Sequence, residues 1–357
     1  MKDKDVARAE LVATLRETYL ADLAEGVDRF FEPRREQCPW CESANIEVAV
    51  RTTDLLQHKP GRFVIDHCRD CGHRFQNPRL NSDGLEFYYR DCYDGLGEET
   101  MNKLFSAKDD TYVQRADALK PFAEPASWLD IGTGHGHFPH LAKQVFPDTE
   151  FDGLDQSAGV DLASERGWVG TGYRGEFVDL AAELTERYEA VSMFHYLEHT
   201  PFPRQQLEAA VKVIRPGGHL VIEVPDPESR WGRVLGRWWV PWLQPQHLNF
   251  IPIANLREAL TGLGFTVLAE QRAEAHGGYD LLPALLLVLH AAFTRGDDVP
   301  WRPKPPSRLA RFIRTAGFKA ALPLFIASAI ADRILAGPLG ARGYANAYRV
   351  VAVKGSE

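Results

Sequence analysis

Residues 127–138 read Ser-Trp-Leu-Asp-Ile-Gly-Thr-Gly-His-Gly-His-Phe, and this stretch decides the fold. An apolar run of Trp128, Leu129 and Ile131 stops at glycines, which is typical of a buried strand that enters a tight turn and then a helix. The glycines let the backbone adopt unusual dihedral angles and come close to a ligand. A helix that begins near residue 137 points its free N–H groups at whatever occupies the turn. The stretch therefore predicts a ligand-binding turn at the end of a buried strand.

Three downstream segments have patterns expected at the same edge of a sheet. Residues 151–155 are predicted to form a strand that ends in an acid, and a carboxylate there suits the two hydroxyls of a ribose. Residues 190–199 read as a strand that enters a loop, and Arg-Pro-Gly-Gly at 215–218 precedes another strand. The dinucleotide-binding fingerprint would require its third glycine where this chain has His137.

These motifs together resemble those of the class I S-adenosylmethionine-dependent methyltransferases. The matching segments are residues 129–136, Asp155, residues 195–199 and residues 215–218. The resemblance runs from about residue 96 to residue 275 and resumes at the C-terminal strand. It implies S-adenosylmethionine as the cofactor and says little about the methyl acceptor.

The resemblance also implies which residues bind the cofactor. This set is Asp130, Gly132, Gly134, Gly136, Asp155, Gln156, Glu176, Phe177, Phe194 and His195. We expect Asp155 to hold the ribose, and the glycine turn to pass under the methionine part. Asp130 is expected to order that turn or to meet the amino group. Glu176 and Phe177 are expected at the adenine edge and face, and the backbone at 194–195 beside the sulfonium.

Three histidines are candidates for a general base: His195, His199 and His247. Each is predicted to lie on a loop at the carboxyl edge of the sheet, and imidazole titrates near neutral pH. A lone histidine is usually structural, but three that converge on one edge favour a catalytic role, with His195 and His247 preferred. Glu198 is expected to orient a neighbour or to cap a helix rather than to react.

The alternation of strands and helices predicts an α/β fold with a Rossmann-like, mostly parallel seven-stranded sheet. Predicted strands lie at 127–131, 150–154, 173–178, 188–194, 219–224 and 265–270, and a last, antiparallel strand lies at 347–354. Predicted helices lie at 137–146, 157–166, 181–187, 203–214 and 254–263. Ligands of such sheets bind past the carboxyl ends of the strands, where all the motifs above fall.

Four cysteines form two C-x-x-C pairs with residues 42–67 between them: Cys38, Cys41, Cys68 and Cys71. This spacing is typical of a zinc ribbon that closes a tetrahedral site of four thiolates. Residues 46–51 and 61–67 read as its strands, and the metal would supply much of the stability of so small a unit. The alternative is a set of redox-active thiols. The fifth cysteine, Cys92, belongs to neither pair, and we expect it to be a thiol that binds no metal.

The chain is therefore divided into five parts. These are a helical arm at 1–36, a zinc ribbon and linker at 37–95, a methyltransferase core at 96–275, a helical insertion at 276–343 and a final core strand at 344–357. The ribbon and linker resemble the N-terminal zinc-ribbon segment of bacterial methyltransferases, many of them linked to sugar and polysaccharide pathways. In such enzymes a tyrosine of this segment often lies over the cofactor. Tyr93 is the candidate for that role.

The composition of the chain indicates which kinds of partner and location to expect. The formal net charge of −8 over 357 residues disfavours a nucleic-acid partner, which usually meets a basic face. The charged N-terminus shows no secretory signal. No uninterrupted apolar run reaches the ~18 residues of a spanning helix. We expect a cytoplasmic enzyme.

Residues 280–335 mix apolar and basic side chains, which leaves two interpretations open. They form either a helical cap or homodimer face, or an amphipathic surface that contacts a membrane peripherally and reaches a lipid-linked substrate.

The predicted function is methylation of an oxygen atom on a small-molecule or carbohydrate acceptor. The alternatives are an RNA methyltransferase that clamps its substrate with the ribbon, and a carbon or nitrogen methyltransferase of a sugar nucleotide. A binding protein on the same fold, without turnover, is a further alternative.

Overall fold

The computed structural model describes residues 2–92, 96, 109–272, 279–293 and 295–356. Tyr93, the tyrosine expected over the cofactor, lies outside the described residues. The described residues form two β-sheets, one of seven strands and one of four.

The large sheet has the predicted α/β architecture. Its strands are β4 (Ser127–Ile131), β5 (Glu150–Asp155), β6 (Gly172–Arg174), β7 (Tyr188–Phe194), β8 (Ile214–Pro225), β10 (Phe265–Gln271) and β11 (Ala347–Lys354). Their order across the sheet is β10-β11-β8-β7-β4-β5-β6. Strands β4 to β8 pair in parallel, and β11 lies antiparallel between β8 and β10. This confirms the Rossmann-like fold and the antiparallel last strand.

Helices cover the sheet because its strands are apolar on both faces. They are α3 (Asp109–Asp117), α4 (His137–Ala142), α5 (Gly159–Glu165), α6 (Phe177–Leu180), α7 (Pro203–Val213) and α9 (Ile253–Gly262). Every residue of β7 except Glu189 is buried, as a strand packed on both faces requires.

The segment after β5 differs from the expectation. The third strand, expected at 173–178, ends at Arg174, and α6 begins at Phe177. No helix forms over the described residues 181–187, where one was expected. The ring of Phe177 is fully buried in the core, and a helical turn at this position allows that burial.

The small sheet contains a strand from an unexpected place. Its order is β1 (Ile46–Thr52), β2 (Phe63–Cys68), β3 (Arg74–Gln76) and β9 (Asn249–Phe250). The first two strands confirm the strands expected at 46–51 and 61–67, apart from small differences at their ends. Strand β9 comes from the loop that follows β8 and pairs antiparallel with β3. That loop also holds α8 (Arg230–Val234). The ribbon is therefore continuous with the core rather than a separate module.

The N-terminal helix packs on two distant parts of the chain. Helix α1 (Lys2–Ala24) buries Tyr19 beside the second helix, α2 (Ser82–Tyr89). Arg16 of α1 also binds Asp298, with 2.6 Å between the nitrogen and the oxygen. The arm thus joins the ribbon linker to the C-terminal insertion.

The insertion consists of three helices: α10 (Leu281–Ala292), α11 (Arg308–Ala320) and α12 (Leu322–Leu339). Asp332 of α12 is buried and accepts hydrogen bonds from the backbone N–H groups of Leu281 and Leu282, each at 2.9 Å. It therefore caps the N-terminus of α10.

One helix in the described part of the chain, Leu322–Tyr344, has the length and apolar composition of a membrane span. The sequence interpretation missed it because Asp332 and Arg333 interrupt its apolar run.

A buried ion triad joins three elements of the core. Glu223 on β8 accepts hydrogen bonds from Arg115 on α3 and from Arg349 on β11, with shortest distances of 2.6 Å to each guanidinium. The side chains are almost inaccessible to solvent. Because burial would otherwise destabilise each charge, the three groups depend on one another. The two guanidinium groups hold the pKa of Glu223 well below its usual range, against the effect of burial.

We expect Glu223→Ala to lower the free energy of unfolding by about 3–5 kcal/mol, because it leaves two buried arginines without their shared partner. The half-exposed pair of Asp161 and Arg174 is the matched control, and Asp161→Ala should cost about 1 kcal/mol or less. Urea unfolding followed by circular dichroism measures both. Equal losses would show that the triad does not carry this stability.

Candidate active site

The glycine turn after β4 has the predicted backbone geometry. Gly132, Gly134 and Gly136 have φ angles of 74°, 52° and 78°, which other residues rarely adopt. A Cβ atom at Gly132 would lie 2.8 Å from the ring of Tyr196, whereas one at Gly134 would meet nothing within 4 Å. The turn therefore keeps open space beside Gly134 for a ligand.

Asp155 ends β5 next to this turn. Its Oδ2 accepts a hydrogen bond from the Gly134 N–H and its Oδ1 accepts one from the Ser157 N–H, both at 2.8 Å. A carboxylate has about four acceptor sites, so each oxygen can still accept from a ribose hydroxyl. Gln156 follows and is exposed. The open turn and the anchored carboxylate fit the ribose of S-adenosylmethionine.

Asp130 lies beneath the turn rather than at its surface. It is buried, and its Oδ1 accepts a hydrogen bond of 2.6 Å from the Ser192 hydroxyl. Burial raises the pKa of Asp130 to about 7. Ser192 in turn accepts from the indole N–H of Trp128, so Asp130 ties β4 to β7. This position favours the turn-ordering role over contact with the cofactor amino group.

The adenine candidates lie side by side at the start of α6. Glu176 is exposed, whereas the ring of Phe177 is fully buried in the main core. Its position corrects the expectation that the ring stacks on adenine, because a ring inside the core cannot present its face to a ligand.

The end of β7 changes direction sharply. Phe194 is buried and packs on Phe138, with 4.6 Å between ring centroids. His195 follows with a φ angle of 52°, and its N–H donates to the Glu223 carbonyl at 2.8 Å. Strain of this kind in a non-glycine residue is concentrated at functional sites. The two residues end the strand at the edge where the cofactor turn lies.

Two carboxylates clamp the ring of His195. Its Nδ1 lies 2.8 Å from Glu198 Oε1, and its Nε2 lies 3.3 Å from Glu223 Oε1. Burial lowers the pKa of His195, but the hydrogen bonds to Glu198 and Glu223 outweigh it, and the pKa rises overall. A higher pKa favours the protonated ring, and only the neutral ring can accept a proton.

His199 lies in a different environment. Its Nδ1 is 2.8 Å from the Tyr89 hydroxyl and 3.2 Å from the Gln246 carbonyl oxygen. The carbonyl can only accept, so the contact with Gln246 fits a proton on Nδ1, whereas donation from the Tyr89 hydroxyl to Nδ1 would fit the other tautomer. Burial is the main cause that lowers the pKa of His199. The neutral ring can therefore accept a proton.

His247 is buried and neutral for the same reasons. Its Nδ1 donates to the Pro241 carbonyl oxygen at 2.7 Å, which leaves a lone pair on Nε2. Burial lowers the pKa of His247 to about 3. Its ring meets that of His199 edge to face, with 4.5 Å between centroids.

Glu198, His199 and His247 each place one ligand atom within 4.8 Å of the other two. Glu198 is buried, and its Oε1 already contacts His195, which agrees with the expected orienting role. The structure therefore brings together all three predicted histidines. It gives them unequal chemistry: one ring favours the charged form, and two neutral rings could accept a proton or hold a metal ion.

The four ribbon cysteines converge. The Cys38 and Cys71 sulfur atoms are 3.7 Å apart, those of Cys41 and Cys68 are 3.6 Å apart, and one atom of each lies within 4.8 Å of the others. A tetrahedral site with zinc–sulfur bonds of about 2.3 Å requires sulfur–sulfur distances near 3.8 Å. The cluster fits zinc, and these distances exclude a disulfide, whose sulfur atoms are about 2.05 Å apart.

The ribbon also supports residues 244–250, the segment that carries His247. Strand β3 pairs with Asn249–Phe250, and the Gln76 side-chain N–H donates to Gln244 Oε1 at 2.7 Å and to the Pro245 carbonyl oxygen at 3.2 Å. His73, two residues after the last cysteine, contacts Asn249 at 3.2 Å. The ribbon therefore positions the segment on both sides of His247.

Sequence reasoning missed four residues of the site: Tyr89, Arg115, Glu223 and Arg349. No short motif contains them, because they come from four separate elements. The one sequence signal was the glutamate at position 223 inside an otherwise apolar strand, since a buried charge there requires partners.

Comparison with known proteins agrees with this geometry. Residues 99–270 match a family model described as a methyltransferase domain. A ubiquinone biosynthesis O-methyltransferase of Xanthomonas oryzae is 28% identical in an alignment of 148 residues that covers 36% of this chain and 57% of that protein. One from Proteus mirabilis is 32% identical in an alignment of 115 residues that covers 30% of this chain and 44% of that protein. The chain thus spans about half the length of the curated relatives it matches.

Solved structures with similar folds share little sequence with the chain. A methyltransferase that depends on S-adenosylmethionine, from Archaeoglobus fulgidus, has a TM-score of 0.43 and 17% identity over 70% of this chain and 99% of its own. Human N-acetylserotonin methyltransferase has a TM-score of 0.41 and 15% identity over 51% and 53%.

We expect purified protein to contain about one zinc ion per chain by elemental analysis, because four thiolates at these distances satisfy one tetrahedral ion. Cys68→Ser should lower the zinc content to near zero and reduce the unfolding temperature. Cys92→Ser, outside the cluster, is the control and should retain the ion. Zinc-free wild-type protein of unchanged stability would contradict the assignment.

We expect Asp155→Ala to weaken binding of S-adenosylhomocysteine by at least roughly tenfold, since it removes the acceptor for the ribose hydroxyls. Isothermal titration calorimetry measures the affinity, and elemental analysis should show an unchanged zinc content. Asp161→Ala, on the exposed side of α5, is the control. Unchanged affinity in Asp155→Ala would remove this residue from the ribose role.

Proposed function

We propose that this chain, which carries a class I S-adenosylmethionine-dependent methyltransferase domain, methylates an oxygen atom of a small-molecule or carbohydrate acceptor. The observation that carries the proposal is the pair of neutral histidines beside the end of β7. His247 keeps a lone pair on Nε2, and its ring contacts that of His199 at the sheet edge that holds the glycine turn and Asp155. A general base assists methyl transfer to a hydroxyl acceptor.

The chemistry assigned to the site is an in-line displacement. S-adenosylmethionine supplies an electrophilic methyl group when it is bound. The acceptor oxygen forms the new carbon–oxygen bond as the carbon–sulfur bond breaks, and His247 Nε2 takes the hydroxyl proton. The largest contribution expected from the protein is to hold the acceptor in line, with reacting atoms ~3 Å apart.

The clamped histidine has a supporting part in this proposal. His195, held between Glu198 and Glu223, fixes the sharp bend after β7 where the sulfonium would lie. The contact of His195 Nδ1 with Glu198 also keeps this carboxylate oriented beside His199 and His247. His195 is thus a positioning residue in this scheme, and the base is His247 or its neighbour His199.

The curated relatives favour oxygen as the acceptor atom. All of those cited above are named as O-methyltransferases of ubiquinone biosynthesis. Methylation of a small phenol or sugar hydroxyl is consistent with those names and with the neutral histidine pair. We further propose that zinc in the ribbon is structural and that the enzyme works in the cytoplasm.

The deciding experiment is a calorimetric titration with S-adenosylhomocysteine, followed by a radiolabelled methyl-transfer screen. The screen covers small phenols, sugar nucleotides, glycans and total RNA. Label that enters an oxygen of a phenol or sugar supports the proposal. Label found only in RNA would favour an RNA methyltransferase that clamps its substrate with the ribbon. Label on carbon or nitrogen of a sugar nucleotide would favour a carbon or nitrogen methyltransferase. Binding without transfer would leave the chain a cofactor-binding protein.

We expect His247→Gln to lower kcat by about 10²–10⁴-fold, because it removes the proton acceptor. The affinity for S-adenosylhomocysteine should change little. The residual rate should rise with pH as the acceptor hydroxyl ionises by itself. His140→Gln, on the exposed side of α4, is the matched control. A kcat within a few-fold of wild type would transfer the base role to His199, which the corresponding variant tests.

A further inference from the structure

Helix α11 presents its apolar side chains to solvent. Leu309 is 66% exposed, Phe312 69% and Ile313 47%. With Ala316 and Ala320 they recur at the spacing that places residues on one helical face. An ordinary surface helix turns this face toward the core, whereas here Arg314 is less exposed than the apolar stripe. The exposed stripe therefore requires a partner that accepts apolar groups.

Helix α12 extends this apolar surface. Leu322, Ile326, Ile330 and Ile334 follow one another at intervals of four residues and are each between 54% and 66% exposed. Asp332 is the only buried residue among the described positions of the helix. We call the exposed apolar side chains of α11 and α12 the apolar surface.

The contacts of Asp332 distinguish a helix that lies on a membrane from one that crosses it. Its carboxylate caps the backbone N–H groups at the start of α10, which fixes the middle of α12 to the protein. A spanning α12 would have to carry this acid and Arg333 into the hydrocarbon, at a high cost. The geometry thus favours a helix that lies in the plane of the interface.

The charge of the same segment indicates what kind of surface it meets. Between residues 299 and 331 the chain has six basic residues and no Asp or Glu: Arg302, Lys304, Arg308, Arg311, Arg314 and Lys319. The whole protein has a net charge of −8, so this cluster is a local reversal. Basic residues beside an apolar stripe are complementary to anionic lipid headgroups above an apolar interior.

A groove opens beside α11 where the two features meet. It has a volume of about 630 Å³, and Arg311, Arg314 and Lys319 line it together with apolar Leu322 and Phe325. Arg314 Nη1 is buried without a hydrogen-bond partner among the residues that the structure describes. The acid in the groove, Asp297, is already paired with Arg295 at 2.7 Å and with Arg8 at 3.1 Å. The groove thus offers donors to a phosphate group and an apolar wall to an acyl chain.

We propose that the apolar surface docks on an anionic lipid bilayer, with a headgroup phosphate bound in the groove beside α11. The protein is then monotopic: α11 and α12 lie in the interface, and the methyltransferase core remains in the aqueous phase. This inference is independent of the methyl acceptor and of the histidine base.

Vesicle flotation of the full chain tests the proposal. We expect binding to vesicles of phosphatidylcholine with phosphatidylglycerol, and at least roughly tenfold weaker binding to phosphatidylcholine alone or at high salt. The triple variant Leu309→Ser, Phe312→Ser, Ile313→Ser should lose binding. Arg311→Glu with Lys319→Glu should also weaken it at least roughly tenfold.

Matched controls separate binding from folding. Val234→Ser, an exposed apolar residue of α8, and Lys120→Glu, an exposed lysine before β4, should leave vesicle binding unchanged. All variants change exposed side chains, so their unfolding temperatures should equal that of wild type. Equal binding to neutral and anionic vesicles, or binding that survives the serine variant, would contradict the proposal. A dimer by light scattering that the serine variant dissociates, without vesicle binding, would instead assign the apolar surface to a second copy of the chain.

Discussion

The short pairing of β3 with β9 is the contact on which the candidate active site depends. It joins the last strand of the ribbon to the residues that follow His247, although residues 77–248 separate the two strands along the chain. Gln76 adds hydrogen bonds to Gln244 and Pro245 on the other side of this histidine. Cys38, Cys68 and Phe75 of the ribbon are also part of the main hydrophobic core. The ribbon and the segment that carries His247 are therefore positioned together.

Electrostatics then divides three chemically identical side chains into two kinds. His195 sits between Glu198 and Glu223, and the two acids outweigh the effect of burial on its pKa. His247 has only a backbone carbonyl as the partner of its Nδ1, so burial keeps the ring neutral. A histidine with a raised pKa and one with a lowered pKa thus lie within one cluster. The division rests on Glu223, whose own charge requires Arg115 and Arg349.

The sequence predicted what depends on local pattern. The glycine turn, Asp155, the order of alternating elements and the cysteine pairs each carry their information within a few residues, and the structure places them as expected. Long-range features were not predictable. Strand β9 has two residues and is a strand only because β3 lies beside it. The burial of Phe177 and the clamp on His195 likewise depend on partners that no motif specifies. The roles of the individual histidines stay predictions until they are tested.

Buried contacts also connect the helical insertion to the loop that carries His247. Trp239, on the same loop, donates its indole N–H to Asp280 at 2.8 Å, just before α10 begins. Asp332 of α12 caps that same helix. A partner bound on the apolar surface would therefore act on α10 and, through Asp280, on the loop that holds His247. If α11 and α12 dock on a bilayer as proposed, these contacts would hold the acceptor site at a fixed distance from the interface.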